Sequence, residues 1–336
     1  MSLPSSLSRA GSAGSFGRRV ALSAALSAAL WPLAGQARAA GFPTRPIRLV
    51  VGFAPGGAVD LVARALAEEM GRTLGQAVIV DNRTGASGNV GAAEVVRATP
   101  DGHTLLLGNG PQLAINPFLF TTLAFDPARD LVPIGQAATV RFIAVVPAQG
   151  AARDLAGLVA QTRARPGTYG SSGAGSIQHL GTELFKAASG ALLTHVPYRG
   201  SSPMIVDVLG GRLDFAIDAE SVVAPHVAAG ALRALATMGP NRAAGLPDVP
   251  TIAEAGYGDI SVEGWQGLVA PARTPQDVLA TLGTALRDAL AQPQLRQRLT
   301  AASIVPAYRD AAGFADFLGA ERQRWGREVR TLGLTL

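Results

Sequence analysis

Short apolar runs alternate with amphipathic stretches along most of the chain. Near its start, residues 47–51 predict a strand, and residues 60–70 carry apolar side chains at the spacing of one helical face. The pattern then repeats, with further strands predicted at residues 77–80 and 104–107. Strands that alternate with helices of about ten residues are typical of βαβ units, so the pattern predicts a parallel sheet.

The same alternation returns in the middle of the chain and predicts a second sheet. Its strands are expected at residues 192–196, 213–217 and 232–236. Two extended stretches, residues 132–146 and 260–269, are expected to cross between the sheets. The three helical segments at residues 276–291, 294–302 and 311–332 should pack back on the first sheet. We therefore predict an α/β fold of two lobes, with residues 40–140 and 266–336 in lobe 1 and residues 141–265 in lobe 2.

Residues 1–39 have the pattern of a secretory signal peptide. Arg18 and Arg19 precede an uncharged run, residues 20–33, and a small-x-small sequence follows at residues 37–39. A positive segment, a short apolar segment and a cleavage site in this order predict export. The apolar run is too short for a bilayer core, which needs about 20 residues. The paired arginines fit the Sec or the twin-arginine route, and an amphipathic N-terminal helix is the alternative.

Composition excludes several functions. The 336 residues include no cysteine, which excludes thiolate catalysis, Cys-ligated zinc and disulfides. The chain has 29 basic against 24 acidic side chains, but residues 1–39 hold four arginines and no acid. The remainder carries 25 basic and 24 acidic side chains, and this balance argues against nucleic-acid binding.

Glycine-rich loops follow predicted strands in both lobes, at residues 52–57, 82–89 and 171–176. In open α/β sheets, ligands bind at the carboxyl ends of the strands. A loop there that opens a helix presents free backbone N–H groups at the positive end of the helix dipole, which favours an anion. Two such loops across a cleft would suit a carboxylate, or a dicarboxylate held at both ends. The alternative for each loop is a tight turn.

The loops lack the glycine spacings of nucleotide-binding motifs, so no cofactor is expected. The chain has four histidines and neither the H-x-x-x-H nor the H-E-x-x-H spacing, so no metal site is expected either.

Six motifs, in order along the chain, carry a resemblance to a known family. They lie at residues 45–60, 81–91, 100–105, 175–180, 196–200 and 246–251. Together they resemble the periplasmic receptors of tripartite tricarboxylate transporters, also called the Bug receptor family. The resemblance covers residues 42 to 330.

The resemblance implies a two-lobed periplasmic binding protein fold of a type II-like kind, with the ligand cleft between the lobes. It implies a periplasmic, monomeric receptor that closes on a small organic acid or an acidic amino acid and delivers it to the permease subunits of a tripartite tricarboxylate transporter. In this family the ligand is held largely by backbone amides, hydroxyls and ordered waters.

The resemblance also implies which residues contact the ligand. In lobe 1 these are Phe53, Ala54, Gly56, Gly57, Asp60, Gly85, Ser87 and Asn89. In lobe 2 they are Ser171, Ser176, His179, Tyr198, Arg199 and Asp218.

Three positions depart from the family pattern. His103 stands where Tyr is usual, Arg199 where Lys is usual, and Glu220 adds an acid after Asp218. Arg199 keeps the charge and could grip a carboxylate in two places. Glu220 is expected to shift selectivity towards a ligand that bears an amine or less negative charge.

Several of these residues have a structural alternative. Asp60 near a helix start can compensate the helix dipole rather than touch the ligand. His179 can be a half-buried structural histidine, and Arg199 can be solvated. Trp265 and Trp325 are expected to be packing anchors.

Two other function classes stay open from the residues alone. Serines near His179, with Asp218 downstream, can be drawn as the triad of a hydrolase, and a lyase is a related possibility. However, no G-x-S-x-G elbow surrounds Ser171 or Ser176, so we expect no enzyme. A ligand-sensing adaptor for a signalling partner would need the same binding lobes as a transport receptor.

Overall fold

The fold is taken from a computed structural model, which describes residues 41–258 and 260–336. The predicted signal peptide lies outside the described residues. Within them the strands are β1 (Ile47–Val51), β2 (Val78–Asn82), β3 (Thr104–Asn109), β4 (Leu131–Pro147), β5 (Gly167–Ser171), β6 (Leu193–Pro197), β7 (Phe215–Ala219), β8 (Leu232–Thr237), β9 (Glu263–Pro271) and β10 (Ile304–Arg309).

Helices connect most of these strands. The α-helices are α1 (Ala58–Leu74), α2 (Asn89–Val96), α3 (Asn116–Leu119), α4 (Pro127–Asp130), α5 (Leu155–Ala164), α6 (Ile177–Ser189), α7 (Ser201–Leu209), α8 (Glu220–Ala228), α9 (Gln276–Ala291), α10 (Pro293–Ala301) and α11 (Ala311–Leu332). A 3₁₀ turn covers Ala86–Gly88 and a π-helical turn covers Pro111–Ile115. None of the helices in the described ranges is long and apolar enough to cross a membrane.

The strands hydrogen-bond in the order β2-β1-β3-β9-β4-β7-β5-β6, and β10 and β8 pair with β4. Strand β1 runs parallel to β2 and β3, and β5 runs parallel to β6 and β7. Strands β4 and β9 are antiparallel to their neighbours. Two groups of parallel strands are therefore joined through antiparallel strands, and the α/β character predicted from the sequence is confirmed.

Strand β4 belongs to both groups. Its residues up to Arg141 pair with β9, and from Phe142 onward it pairs with β7 and β8. We call β1–β3, β9, β10 and the first part of β4 the first half, and β5–β8 with the rest of β4 the second half. The extended stretch predicted at residues 132–146 therefore runs through both halves of the sheet. The chain crosses again before β9, where the Val262 N–H donates to the Met238 carbonyl oxygen at 2.7 Å. The exact residue limits of the two lobes stay a prediction.

The amphipathic pattern explains why the helices cover the sheet. Helix α1 buries Val62, Leu66 and Met70, which share one face, against the first half. The predicted C-terminal helices are confirmed as α9, α10 and α11; α9 packs on α1, and α11 packs on β4. A smaller apolar cluster in the second half surrounds Met204 and Ile143.

Candidate functional site

A cavity lies between the two halves at the carboxyl ends of the parallel strands. Residues at or shortly after the carboxyl ends of β1, β3, β5, β6 and β7 all contribute to its wall. The space not filled by protein atoms is about 660 Å³, part of it open to solvent. The position agrees with the rule that ligands of α/β sheets bind beyond the strand ends.

Several helices begin at this cavity. The wall includes Gly57 and Ala58 at the start of α1, Gln178 in the first turn of α6, Ser201 at the start of α7 and Ala219 just before α8. The starts of α1, α7 and α8 have no side-chain cap. The first N–H groups of a helix have no partner within the helix, and together with the dipole they attract negative charge.

The charged side chains of the wall are acidic. Among the residues that the structure describes, the wall contains Asp218 and Glu263 but no arginine, lysine or histidine. An anion bound at this cavity would therefore be attracted by main-chain N–H groups and helix dipoles rather than by a cationic side chain of the wall.

Asp218 is completely buried at the end of β7. Its Oδ1 accepts hydrogen bonds from Ser201 Oγ at 2.7 Å, from the Ala219 N–H at 2.8 Å and from Gln178 Nε2 at 3.2 Å. Its Oδ2 is buried and has no partner among the described residues. Burial raises the pKa of Asp218 to about 6, and the hydrogen bonds from Ser201, Ala219 and Gln178 lower it only in part.

Aromatic residues form another part of the wall. Trp265 and Trp325 both line the cavity, and both indole N–H groups donate to Glu321 Oε2, at 2.7 and 3.2 Å. Both rings are buried, as expected for packing anchors. Beside them, Gln266 Oε1 and Asn109 Oδ1 are buried without a partner in the described part of the chain. The cavity is thus lined by apolar rings and by a few polar atoms that a ligand can satisfy.

Four of the site residues that the resemblance implied line the cavity: Phe53, Ala54, Gly57 and Asp218. Gly56 and Asp60 lie beside it instead. Asp60 accepts from the Gly56 N–H at 3.0 Å and from Arg64 Nε at 2.9 Å.

Asp60 also accepts from Asn82 Nδ2 at 3.0 Å. Burial alone would raise the pKa of Asp60, but the bonds from Arg64, Gly56 and Asn82 outweigh it and lower the pKa. Asp60 therefore fastens the loop that precedes α1 to β2.

The loop of Gly85, Ser87 and Asn89 lies away from the cavity wall and touches the second half. The Ser87 hydroxyl donates to the Ala174 carbonyl oxygen across the gap. Asn89 Oδ1 accepts from Asn116 Nδ2 at 2.6 Å within the first half. A second bond between the halves runs from Ser202 Oγ to the Pro55 carbonyl oxygen at 2.7 Å.

Ser171, Ser176 and His179 belong to the second half but do not line the cavity. Ser171 Oγ is 2.6 Å from His195 Nε2, and Ser176 Oγ caps α6 by accepting from the His179 N–H at 3.3 Å. His179 Nδ1 accepts from the Gly175 N–H at 3.1 Å, and its ring stacks on that of His195 at 4.1 Å.

Burial lowers the pKa of both histidines, that of His195 to about 4. Asp218 is bonded to neither ring, so the triad drawn from the sequence does not form among these residues.

Tyr198 and Arg199 lie off the wall. The Tyr198 hydroxyl donates to Asp207 Oδ2 at 2.6 Å, and the Arg199 side chain is exposed. The other two residues that differ from the family pattern, Glu220 and His103, also lie off the cavity wall. Glu220 is buried and accepts from Arg141 at 3.2 Å, and His103 precedes β3, at the end opposite the cavity.

The structure adds wall residues that the sequence reasoning did not name. Asn109 is the last residue of β3 and Ser172 directly follows β5, and the rule that placed the glycine loops at strand ends also covers them. Gln178 lies in the motif at residues 175–180, but the sequence did not mark it as a ligand contact. Gln266 lies on antiparallel β9, and no local pattern signals its approach to the cavity.

A mixed sheet in two halves, with a cavity lined by loops of both, defines the two-lobed class of periplasmic binding proteins. Two solved structures of that kind match closely. MatC (Rpa3494) from Rhodopseudomonas palustris with bound malate has a TM-score of 0.82 and 31% sequence identity, and the match covers 86% of this chain and 100% of that one. R. palustris Rpa4515 with adipate has a TM-score of 0.84 and 34% identity, covering 88% and 99%.

Sequence comparison gives the family. The family model of the tripartite tricarboxylate transporter family receptor matches residues 62–334. Protein BugT of Bordetella pertussis strain Tohama I is 35% identical over 298 residues, which are 88% of this chain and 91% of BugT. The chain therefore belongs to the tripartite tricarboxylate transporter receptor family, and the resemblance that the sequence motifs carried is confirmed.

Proposed function

We propose that the chain captures a small organic carboxylate in the cavity between its halves and delivers it to the membrane permease of a tripartite tricarboxylate transporter. One observation carries this proposal: helices of both halves begin, without side-chain caps, at a cavity whose wall has no cationic side chain in the described ranges. Such a wall attracts an anion through its N–H groups. The adipate and malate bound by Rpa4515 and MatC support the same ligand class.

The ligand is captured by closure of the two halves. The bonds from Ser87 to Ala174 and from Ser202 to Pro55 join the halves beside the cavity. A ligand can favour this closed arrangement only through its higher affinity for it. Contacts to both Gly57 and Ser201 supply that difference, since these residues lie on opposite halves and both line the cavity.

The protein functions in the periplasm. The signal pattern of residues 1–39 and the membership of a family of transporter receptors both support export and a membrane partner. Membership of a receptor family supports binding without chemistry, which is the function we propose.

The test is a Gly57→Val exchange measured by titration calorimetry. Butyrate, caproate, malate and adipate are titrated into the full chain at neutral pH. A Cβ at Gly57 would lie 3.9 Å from Ser201 Cβ, so the branched side chain of valine fills the approach to the start of α1. We expect at least one acid to bind, and the exchange to weaken its binding about tenfold or more.

Gly319→Val is the matched control, because a Cβ there meets no atom within 4 Å and Gly319 lies in α11. It should leave the affinity unchanged. Failure of all four acids to bind, or equal affinities for wild type and Gly57→Val, would contradict the proposed function.

A further inference from the structure

In the second half, an acidic side chain of the protein lies beside the helix starts at the cavity. Asp218 Oδ1 accepts from the Ala219 N–H, just before α8, and from the hydroxyl of Ser201, the first residue of α7. In the first half, the start of α1 at Gly57 has no side-chain cap. The two sides of the cavity therefore differ: the second half presents a buried carboxyl group beside its helix starts, whereas the acid of the first half, Glu263 on β9, is exposed.

The free oxygen of Asp218 needs a hydrogen-bond donor. Oδ2 is buried, its residue has no exposed surface, and Asp218 lines the cavity. A buried acceptor without a partner is costly, and a charged one more so. A ligand group that carries a proton, such as a hydroxyl or an ammonium, removes this cost. A ligand carboxylate at the same place would instead meet a like charge.

The neighbouring charges do not change this conclusion. Glu263 is the other acid of the wall, and it is exposed. Glu220, two residues after Asp218, is paired with Arg141 on β4. No described cation of the wall remains to compensate a second ligand carboxylate near Asp218.

We infer that the ligand of this chain is a monocarboxylate whose other end carries a hydroxyl or ammonium group that donates to Asp218 Oδ2. The inference rests on the proposed function and names the ligand class of the same cavity. In this binding mode, the carboxylate of the ligand accepts hydrogen bonds from main-chain N–H groups at the start of α1, and Asp218 determines which tail group is preferred. The body between the two ends faces apolar wall residues such as Val140, Phe142 and Trp265.

The experiment compares ligands that differ only in their tail. Two series are titrated into the full chain at about pH 8, where the carboxyl groups are ionised and the amines are charged. The shorter series is butyrate, γ-hydroxybutyrate, γ-aminobutyrate and succinate. The longer series is caproate, ε-hydroxycaproate, ε-aminocaproate and adipate. We expect the better-fitting series to bind its amino or hydroxy member at least tenfold more tightly than its dicarboxylate.

Asp218→Asn tests whether Asp218 causes this preference. The amide keeps the size of the side chain and removes the charge, so the advantage of the ammonium tail over the carboxylate tail should fall by about tenfold. Asp316→Asn, an exposed position on α11, is the control and should keep the wild-type preference. The wild-type comparison of tails needs no variant, and it remains decisive if Asp218→Asn does not fold.

The outcomes separate the two proposals. A dicarboxylate that binds as tightly as the donor-tailed acids overturns the inference and leaves the proposed function standing. A tail preference that persists in Asp218→Asn also overturns the inference, because Asp218 is then not its cause. Failure of every acid in both series contradicts the proposed function as well.

Discussion

At the scale of single residues, burial decides how Asp218 can serve a ligand. The side chain is completely buried, and three donors converge on its Oδ1, while Oδ2 has no partner in the described part of the chain. Glu220, the acid that the sequence suggested as the source of selectivity, instead lies in an ion pair with Arg141. Glu220 does not line the cavity, so the effect on selectivity expected of it stays a prediction, and our inference assigns that role to Asp218 instead.

This burial predicts how ligand binding depends on pH. The pKa of Asp218 is about 6 in the free protein, and an ammonium ligand binds better to its ionised form. Binding then releases a proton, so affinity rises as pH rises through 6 and levels off above it. Between about pH 5.5 and about pH 8, the affinity for ε-aminocaproate should increase up to about fourfold, since the charges of the ligand itself stay constant there.

Titration calorimetry over this range measures the effect. Asp218→Asn should show an affinity that does not change with pH. A wild-type affinity that is flat, or that falls as pH rises, would show that Asp218 does not face the ammonium group.

At the scale of elements, the start of α1 depends on a buried support. Asp60 binds Gly56, Arg64 and Asn82 at once and so ties the loop before α1 to β2. Of the two roles that the sequence left open for Asp60, the structural one agrees with these bonds. Positioning the loop is nevertheless important for the ligand, because the free N–H groups of α1 must face the cavity.

Asp60→Ala should therefore weaken binding without changing the order of ligand preference. Loss of the buried carboxylate leaves the Gly56 N–H without its acceptor and removes one of the two bonds of Asn82 Nδ2, which keeps its bond to the Phe53 carbonyl oxygen, and we expect a stability loss of about 2 kcal/mol in urea unfolding. Calorimetry should show a similar fold-loss of affinity for every acid that binds.

Asp310→Ala provides the comparison. Asp310 also supports a helix start, by accepting from the Gly313 N–H at 2.8 Å, but it does so at α11 and away from the cavity wall. This variant should lose about 1 kcal/mol of stability and no affinity. If Asp60→Ala binds the acids as tightly as the wild type, Asp60 does not position the loop before α1 for the ligand.

Most elements could be predicted from the sequence because they follow local patterns. Strand β1 and helix α1 have the expected periodicities, and residues after the strands form most of the cavity wall. The pairing of β9 with β3 and β4, which brings Trp265 and Gln266 to the cavity, depends on distant contacts. The side-chain directions of Ser87 and Tyr198 could not be predicted either, because their hydrogen-bond acceptors, Ala174 and Asp207, are brought to them by the tertiary fold.

At the scale of the whole molecule, the function depends on two halves that share a strand. Because β4 pairs with β9 up to Arg141 and with β7 from Phe142, we propose that a change of angle there would move one half against the other. The cavity lies between the halves, and its helix starts come from both. In the proposed function, an anion in the cavity would contact main-chain donors of the first half while the second half covers it.

Whether main-chain donors hold the carboxylate is measured by a backbone amide NMR titration of the isotope-labelled full chain with caproate, a ligand whose only polar group is its carboxylate. We expect the largest chemical-shift changes at the amides of Gly57, Ala58 and Val59, because their N–H groups bind the carboxylate. Changes that are small at these amides and concentrated around exposed Arg199 would contradict it.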